Sequence, residues 1–350
     1  MPEYGLTFIV ALAVAFVITP GVIWLAFRTG ALDTPEARKV HKQPVPRIGG
    51  LGIYLAFMAA MGVYLMTAEV PADVEQGLTG LLIGGSLIVV LGLLDDYFNL
   101  PAKAKLLGQI GCAGLAMAYG VRIDFISDPF GDVLYLYDYV AIPGTLFWIV
   151  GLTNTVNLID GLDGLAAGVS TIAAVTIFLV ALQQNFLLVA VVTAALAGAA
   201  FGFLYYNFNP ARIFMGDTGS MFLGFMLSGI SVIGAVKSAA TIALIVPILA
   251  LGLPILDTAF AIVRRKLAGV PIMKPDKGHL HHRLLSLGFT QRQAVLLMYT
   301  ISALLGTSAV AVTEVSPGFA LLILVGVVAS VLYGAKRLGI FHLNNTAHTH

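Results

Sequence analysis

A chain of 350 residues that is 59% hydrophobic and only 11% charged, with mean hydropathy +0.94, lies outside the soluble range of roughly 45–50% apolar and about 25% charged. It is expected to be an integral membrane protein, and a net charge of +1 gives no footing for a nucleic-acid partner. The single cysteine, Cys112, lies in an apolar stretch. It excludes an intramolecular disulfide and a cysteine metal cluster, and is expected to be a packing residue.

Crossing the hydrocarbon takes about 20 apolar residues, and stretches of that kind recur at approximately 4–27, 49–68, 77–94, 105–120, 141–157, 164–182, 186–206, 218–236, 239–263, 292–313 and 317–335. The fold class expected is an all-α polytopic membrane protein of about 11 transmembrane helices. The first stretch lacks a basic leader and carries Glu3, so it reads as a retained helix rather than a signal peptide. All of the 19 Lys and Arg except Arg122 and Lys237 lie in or directly beside loops 28–48, 95–104, 158–163, 207–217 and 264–291 and the C-terminal tail. The opposite loops carry Glu69, Asp73, Glu75, Asp124, Asp128, Asp132 and Asp138. By the positive-inside rule the N-terminus is outside and the C-terminus cytoplasmic. Residues 121–140 place β-formers around a Pro-Phe-Gly-Asp turn, which predicts a short external β-hairpin. Pro247 and Pro254 should bend or break the ninth span and open a groove towards lipid. No internal repeat is visible, so residues 1–340 are expected to form one membrane-embedded domain, with 341–350 expected to be a disordered tail.

Five polar islands fall in the basic loops, and charges near membrane depth usually mark function. The first is Asp95-Asp96, followed by Lys103 and Lys105. Adjacent carboxylates at a helix end can hold a divalent ion or accept a proton, and the lysines can contact phosphate; a solvated helix end with lysine anchors is the alternative. The second sets Asn154, Asn157, Asp160 and Asp163 at three-residue spacing. On a helix they would fall round one side, and such oxygen donors suit Mg²⁺, although Asp160 or Asp163 could instead cap the next helix. The third runs from Asn207 through Asn209 to Asp217 in Gly-Asp-Thr-Gly-Ser; Asp217 at a helix start suits a metal-bridged phosphate or an ordinary cap. The fourth and fifth share one basic loop with Arg264, Arg265, Lys266, Lys274, Lys277, His279, His281, His282 and Arg283. These groups can surround a pyrophosphate, while anchoring alone would explain the arginines.

Taken together, Pro-Val-Pro-Arg-Ile-Gly-Gly at 44–50, Asp95-Asp96, Asn-Leu-Ile-Asp-Gly-Leu-Asp-Gly-Leu at 157–165, Phe-Met-Gly-Asp-Thr-Gly-Ser at 214–220 and His-Leu-His-His-Arg at 279–283 resemble the polyprenyl-phosphate N-acetylhexosamine-1-phosphate transferases. The match extends from about Asp33 to Phe289. Within that family the His-x-His-His order is similar to the enzymes that use UDP-N-acetylglucosamine, whereas the muramoyl-pentapeptide branch has three consecutive histidines. The resemblance implies that Asp217 and Asn157 hold Mg²⁺, or Mn²⁺ in its place, on the donor pyrophosphate. It implies catalytic roles for Asp95, Asp96 and Asp217, and substrate contacts for Lys103 or Lys105, Asn154, Asp160, Asp163, Asn207, Arg264, Arg265, His279, His281, His282 and Arg283.

The reaction implied is transfer of N-acetylglucosamine 1-phosphate from UDP-N-acetylglucosamine to undecaprenyl phosphate in the bacterial cytoplasmic membrane, the first membrane step of a cell-envelope polysaccharide such as teichoic acid or O-antigen. Expected partners are those two substrates, membrane lipid and a second copy in a homodimer. A phospho-N-acetylmuramoyl-pentapeptide transferase is the nearest alternative. A secondary transporter is the alternative of a different class, disfavoured because transporters keep ionisable residues near the midplane.

Overall fold

Unpaired backbone polar groups are costly in hydrocarbon, so a chain this apolar is driven to helix. The computed structural model describes residues 2–33, 44–68, 70, 72–127, 133–237, 242–267, 269 and 278–337. In chain order the described elements are α1 (Glu3–Thr29), β1 (Leu32–Asp33), β2 (Val45–Pro46), α2 (Gly50–Thr67), α3 (Ala72–Phe98), α4 (Ala102–Ala118), β3 (Phe125–Ser127), β4 (Val133–Tyr135), α5 (Asp138–Ile159), α6 (Leu165–Gln183), α7 (Leu187–Asn207), α8 (Gly216–Lys237), α9 (Ile242–Ala250), α10 (Gly252–Leu267), α11 (Leu280–Ser286), α12 (Gln291–Val312) and α13 (Pro317–Arg337). Among them nine helices are long and apolar enough to cross a membrane. The other two expected spans are α4, of 17 residues, and the divided pair α9 and α10. The all-α polytopic class is as expected. Lys274, Lys277 and the tail 341–350 lie outside the described residues.

Burial ranks the helices. In α7 and α8 83% of the most apolar stretch is covered by protein, against 11% in α13, so α7 and α8 form the centre and α13 the periphery. Close packing at the centre depends on small residues, as membrane helices gain little from apolar association alone. Gly198 and Gly202 of α7 lie against α1, where an added methyl would come within 2.4 Å of the Phe8 carbonyl oxygen and 2.7 Å of that of Leu12. Ala11 and Ala15 complete this crossing, both fully buried. Three buried threonines are satisfied within their own helices: Thr19, Thr153 and Thr193 donate to the carbonyls of Ala15, Ile149 and Val189 at 2.6, 2.7 and 2.6 Å, the i−4 pattern available to threonine.

Three irregular features position the polar end. First, β1 pairs antiparallel with β2, Leu32 opposite Pro46 and Asp33 opposite Val45, an element the sequence reading did not anticipate. The strip continues by backbone bonds from Phe214 N to Pro46 O (2.7 Å), Gly49 N to Phe214 O (3.0 Å) and Gly50 N to Met215 O (2.8 Å). The start of α2 is thereby held on the start of α8. A methyl on Gly50 would lie 2.0 Å from Gly219 N. Second, Pro254 lacks the N–H that would reach the Ala250 carbonyl, and α9 ends at Ala250. Bonds from Leu251 N to Pro247 O (2.9 Å) and Ile255 N to Leu251 O (3.0 Å) keep the halves in sequence. Third, β3 and β4 form the expected antiparallel hairpin, Ile126 opposite Leu134. At its base Arg122, one of the two basic residues outside the basic loops, pairs with Asp124 at 2.7 Å and with Asp138.

The two glycine environments in α2 make opposite forecasts. Gly50→Ala forces α2 away from α8 and, as overpacking, is expected to lower stability by about 1–3 kcal/mol. Gly62→Ala meets nothing within 4 Å and should be neutral or stabilising by up to about 1 kcal/mol. Thermal unfolding of the purified variants in detergent checks both; equal melting temperatures would contradict the packing described.

Candidate active site

The last turn of α3 and the first turn of α8 meet at the polar end. Gly92 makes this possible, because a methyl there would lie 2.5 Å from Thr218 Cα. Helix N-termini leave amide donors unpaired, and α8 borrows its acceptor from α3. Asp96 Oδ1 accepts from Asp217 N at 3.0 Å, and its Oδ2 accepts from Thr218 N at 3.0 Å and Thr218 Oγ1 at 2.6 Å. Asp96 is buried with both oxygens committed to this cap. Gly216, with φ +70°, provides the turn, and a side chain there would strike Arg47 O at 2.0 Å. Because Asp96 caps the helix, Asp217 is released from that role. The alternative use of Asp217 as an ordinary cap is not what the structure shows.

Asp217 instead joins a polar node with α4 and α5. Lys105 Nζ lies 2.7 Å from Asp95 Oδ2 and 2.9 Å from Asp217 Oδ1, and 3.5 Å from Asn157 Oδ1. Asn157 Nδ2 donates to Asp217 Oδ1 and, at 2.8 Å, to Ser220 Oγ. Asp95 Oδ1 accepts from Leu100 N at 2.8 Å, fixing the turn into α4. The Asp95 side chain is 6% exposed and that of Asp217 31%, so Asp217 is the member of the node that opens to the outside. Of the two candidate lysines, Lys105 joins the node and Lys103 is exposed in the first turn of α4.

The second island does not continue as helix. α5 ends at Ile159, so Asn154 and Asn157 share a helix while Asp160 and Asp163 occupy the following turn. Asn154 faces α4, exchanging amide hydrogen bonds with Gln109 at 2.7 and 3.3 Å. The structure thus gives Asn154 a helix-to-helix partner in place of a position on the pocket wall. Neither aspartate caps α6, whose start is Gly164 with φ +79° and no side-chain cap. Asp163 Oδ2 accepts from Asn209 Nδ2 at 2.9 Å and Ala211 N at 3.1 Å. Asn207, buried, accepts from Gly164 N at 3.1 Å and donates to Ile213 O at 2.9 Å. These bonds lock the second island to the third.

Between them lies a pocket of about 560 Å³ whose lining includes Asp33, Asp96, Asn157, Asp160, Asp163 and Asp217. Asp160 keeps some surface as a residue but stands deep among protein atoms. Burial, then the charges of Asp217, Asp96 and Asp163, push its carboxyl up to about 8. So many carboxyl groups around one pocket favour a ligand that brings a cation with it.

The histidines reach the same end through α10. Asp257, buried in α10, receives His279 Nδ1 at 2.8 Å on one oxygen and Leu280 N at 2.7 Å on the other. It both orients the imidazole and caps α11; the His279 tautomer with hydrogen on Nδ1 follows from that partner. His281 is buried, with its ring nearly parallel to that of His279 (9°, centroids 5.8 Å apart). A methyl on Gly161 would lie 2.5 Å from His281 Nε2, so the fifth island packs on the second. His282 is exposed and Arg283 half-buried. Arg264 lies against Gly278, where a methyl would be 2.4 Å from Cζ, and Arg265 is half-buried beside it in the sequence. Asp257 is not among the residues that the sequence singles out; its spacing to His279 carries no pattern by which to pair them. Arg47 was quoted within a motif without a role, and it lines the pocket. Beside the histidines an apolar groove of about 560 Å³ separates α10, α12 and α13, lined by Leu253, Phe260, Leu304 and Val327 with Asp257 in its wall. This is the groove expected at the broken helix.

No group of three or more His, Cys, Asp or Glu among the described residues forms a closed metal cage. Mg²⁺ does not require one: it takes one or two carboxylates and leaves its other positions to water and substrate phosphates. Asp217 and Asn157, both on the pocket wall, bring one carboxylate and one side-chain amide, the donor types of such a set, with Asn157 here turning Nδ2 to Asp217 and Oδ1 to Lys105.

Residues 78–235 match glycosyl transferase family 4. A probable undecaprenyl-phosphate N-acetylglucosaminyl 1-phosphate transferase of Bacillus subtilis (strain 168) is 44% identical over 306 residues, 87% of this chain and 83% of the relative. The chain belongs to glycosyl transferase family 4. A decaprenyl-phosphate N-acetylglucosaminephosphotransferase of Mycolicibacterium smegmatis is 38% identical, over 90% of this chain and 84% of its own length. A phospho-N-acetylmuramoyl-pentapeptide-transferase of Desulforudis audaxviator is 32% identical, over 86% and 94%. This member of the family is a multi-pass membrane protein and a polyprenyl-phosphate sugar-1-phosphate transferase. The transporter alternative loses its support, since the candidate residues gather at one end of the bundle.

Burial, followed by the charge of His282, holds the His281 imidazole down at about 4, against 6.5 for a free histidine. Between those values the unfolded chain binds more protons than the folded one. The stability owed to neutral His281 is therefore complete above pH 6.5 and is lost as pH falls towards 4, at most about 3 kcal/mol. His281→Gln should flatten the acid limb of the melting temperature against pH; an unchanged limb would show that this imidazole titrates normally.

Proposed function

We propose that the protein transfers N-acetylglucosamine 1-phosphate from UDP-N-acetylglucosamine to undecaprenyl phosphate at the cytoplasmic face of the bacterial membrane. The products are UMP and undecaprenyl-diphosphate-N-acetylglucosamine, the starting lipid for an envelope polysaccharide of the teichoic acid or O-antigen kind. The observation that carries this reading is a polar pocket lined by Asp217 and Asn157, with Lys105 paired to Asp217 behind it and an apolar groove nearby. A soluble nucleotide sugar and a lipid acceptor need that pairing of surfaces. The 44% identity to the Bacillus subtilis relative and the His-Leu-His-His order support N-acetylglucosamine over the muramoyl-pentapeptide donor.

An oxygen of the acceptor phosphate attacks the sugar-linked phosphorus; the bond from that phosphorus to the bridging oxygen breaks, and UMP leaves with the electron pair. One phosphoanhydride replaces another, so the protein's task is to align two anions and spread their charge. Mg²⁺, or Mn²⁺ in its place, held by Asp217 and Asn157, would supply Lewis-acid neutralisation of the diphosphate. Lys105 adds a fixed positive charge beside it. The acceptor phosphate, with a second pKa near 6, is already largely ionised. Direct attack is favoured over a phospho-aspartyl route because both oxygens of Asp96 are engaged by α8, while those of Asp95 are engaged by Leu100 N and Lys105. The isoprenoid chain of the acceptor lies in the groove along α10.

Purified protein with labelled UDP-N-acetylglucosamine, undecaprenyl phosphate and Mg²⁺ should move label into the organic phase and release UMP, and EDTA should stop it. Asp217→Asn should lower turnover by about 10²–10³-fold with its melting temperature retained. Transfer only from UDP-muramoyl-pentapeptide would move the protein to the other branch, and full activity of Asp217→Asn would remove Asp217 from the metal site.

A further inference from the structure

Arg47 is the one cation that lines the carboxylate pocket among the described residues. Its backbone is pinned on both sides: Arg47 N donates to Ala31 O at 3.1 Å, and the flanking Pro46 O and Gly49 N bond to Phe214 N and O at 2.7 and 3.0 Å. Among the described residues no hydrogen bond or ion pair engages its side chain. Nε is enclosed and lacks a hydrogen-bond partner, although Asp96, Asp160, Asp163 and Asp217 line the same pocket. A buried guanidinium N–H without a partner is costly, and the cost is removed when an anion fills the pocket. Arginine's planar fork suits a phosphate better than a lysine would.

We propose that Arg47 binds the diphosphate of the nucleotide-sugar donor, opposite the node of Asp217 and Lys105; this rests on the transferase reading given above. The donor is chosen over the lipid phosphate because the pocket walls around Arg47 include the polar turns 160–163 and 207–217 and share no lining residue with the apolar groove on α10. Its role is therefore donor binding, from the side of the pocket formed by the strip that carries β2.

The test uses the full-length protein in detergent with Mg²⁺ present, comparing wild type, Arg47→Gln and Arg47→Lys by calorimetric binding of UDP and of uridine, alongside steady-state transfer. Both variants should keep the wild-type melting temperature, since the side chain bonds nothing in the fold. Arg47→Gln should weaken UDP by about 10–100-fold and leave uridine unchanged. Arg47→Lys should recover part of the loss. KM for the donor should rise by a similar factor with KM for undecaprenyl phosphate unmoved. Unchanged UDP affinity in Arg47→Gln, or a rise confined to the acceptor KM, overturns the assignment while the transferase reading stands. Failure of the wild type to bind UDP at all overturns both together.

Discussion

The polar end of this protein depends on one carboxylate, that of Asp96, accepting the first amides of a helix to which it does not belong. Most helices supply their own cap. Here α3 caps α8, and the cap fixes how far the two approach, which direction Asp217 faces and where the Gly50–Gly219 contact falls. Were Asp217 to cap its own helix, its oxygens would be spent on backbone amides and the node with Lys105 and Asn157 would not form. One carboxylate used for structure thus leaves its spatial neighbour, Asp217, available for chemistry.

Carboxylates from elsewhere settle the loops in the same manner. Asp163 holds the turn at Asn209 and Ala211, Asp257 holds α11 and His279, and Asp95 holds the entry to α4 while it pairs with Lys105. A site at the edge of a bilayer cannot rely on water to satisfy these groups, so the polar residues satisfy one another. The central helices provide the rigid support: α7 and α8 are enclosed by protein, and the loops that bear the site leave from their ends.

Much of this was legible in the sequence. Apolar length located the helices, the two prolines located the break between α9 and α10, and β-formers around a turn located the hairpin. Spacing was less reliable. The three-residue interval from Asn154 to Asp163 suggested one helical face, but Ile159 ends the helix, and Asn154 turns to Gln109. The β1–β2 ladder is only two residues per strand, too short for any periodicity to register. Which aspartate caps and which is free is a matter of tertiary approach, set by Gly92 and Gly216, and no local pattern encodes it. Asp257 and His279 are 22 residues apart and meet only because α10 and α11 fold back on each other.

That last pairing constrains both positions at once. Asp257 stands in a mostly apolar wall, where a carboxylate without its imidazole would be stranded, and where an imidazole without its carboxylate would lose its tautomer and its aim. Neither residue is therefore free to drift alone: neutralising one leaves the other costly. The pair behaves as a single two-part character, and substitutions there are tolerable in concert before they are tolerable singly.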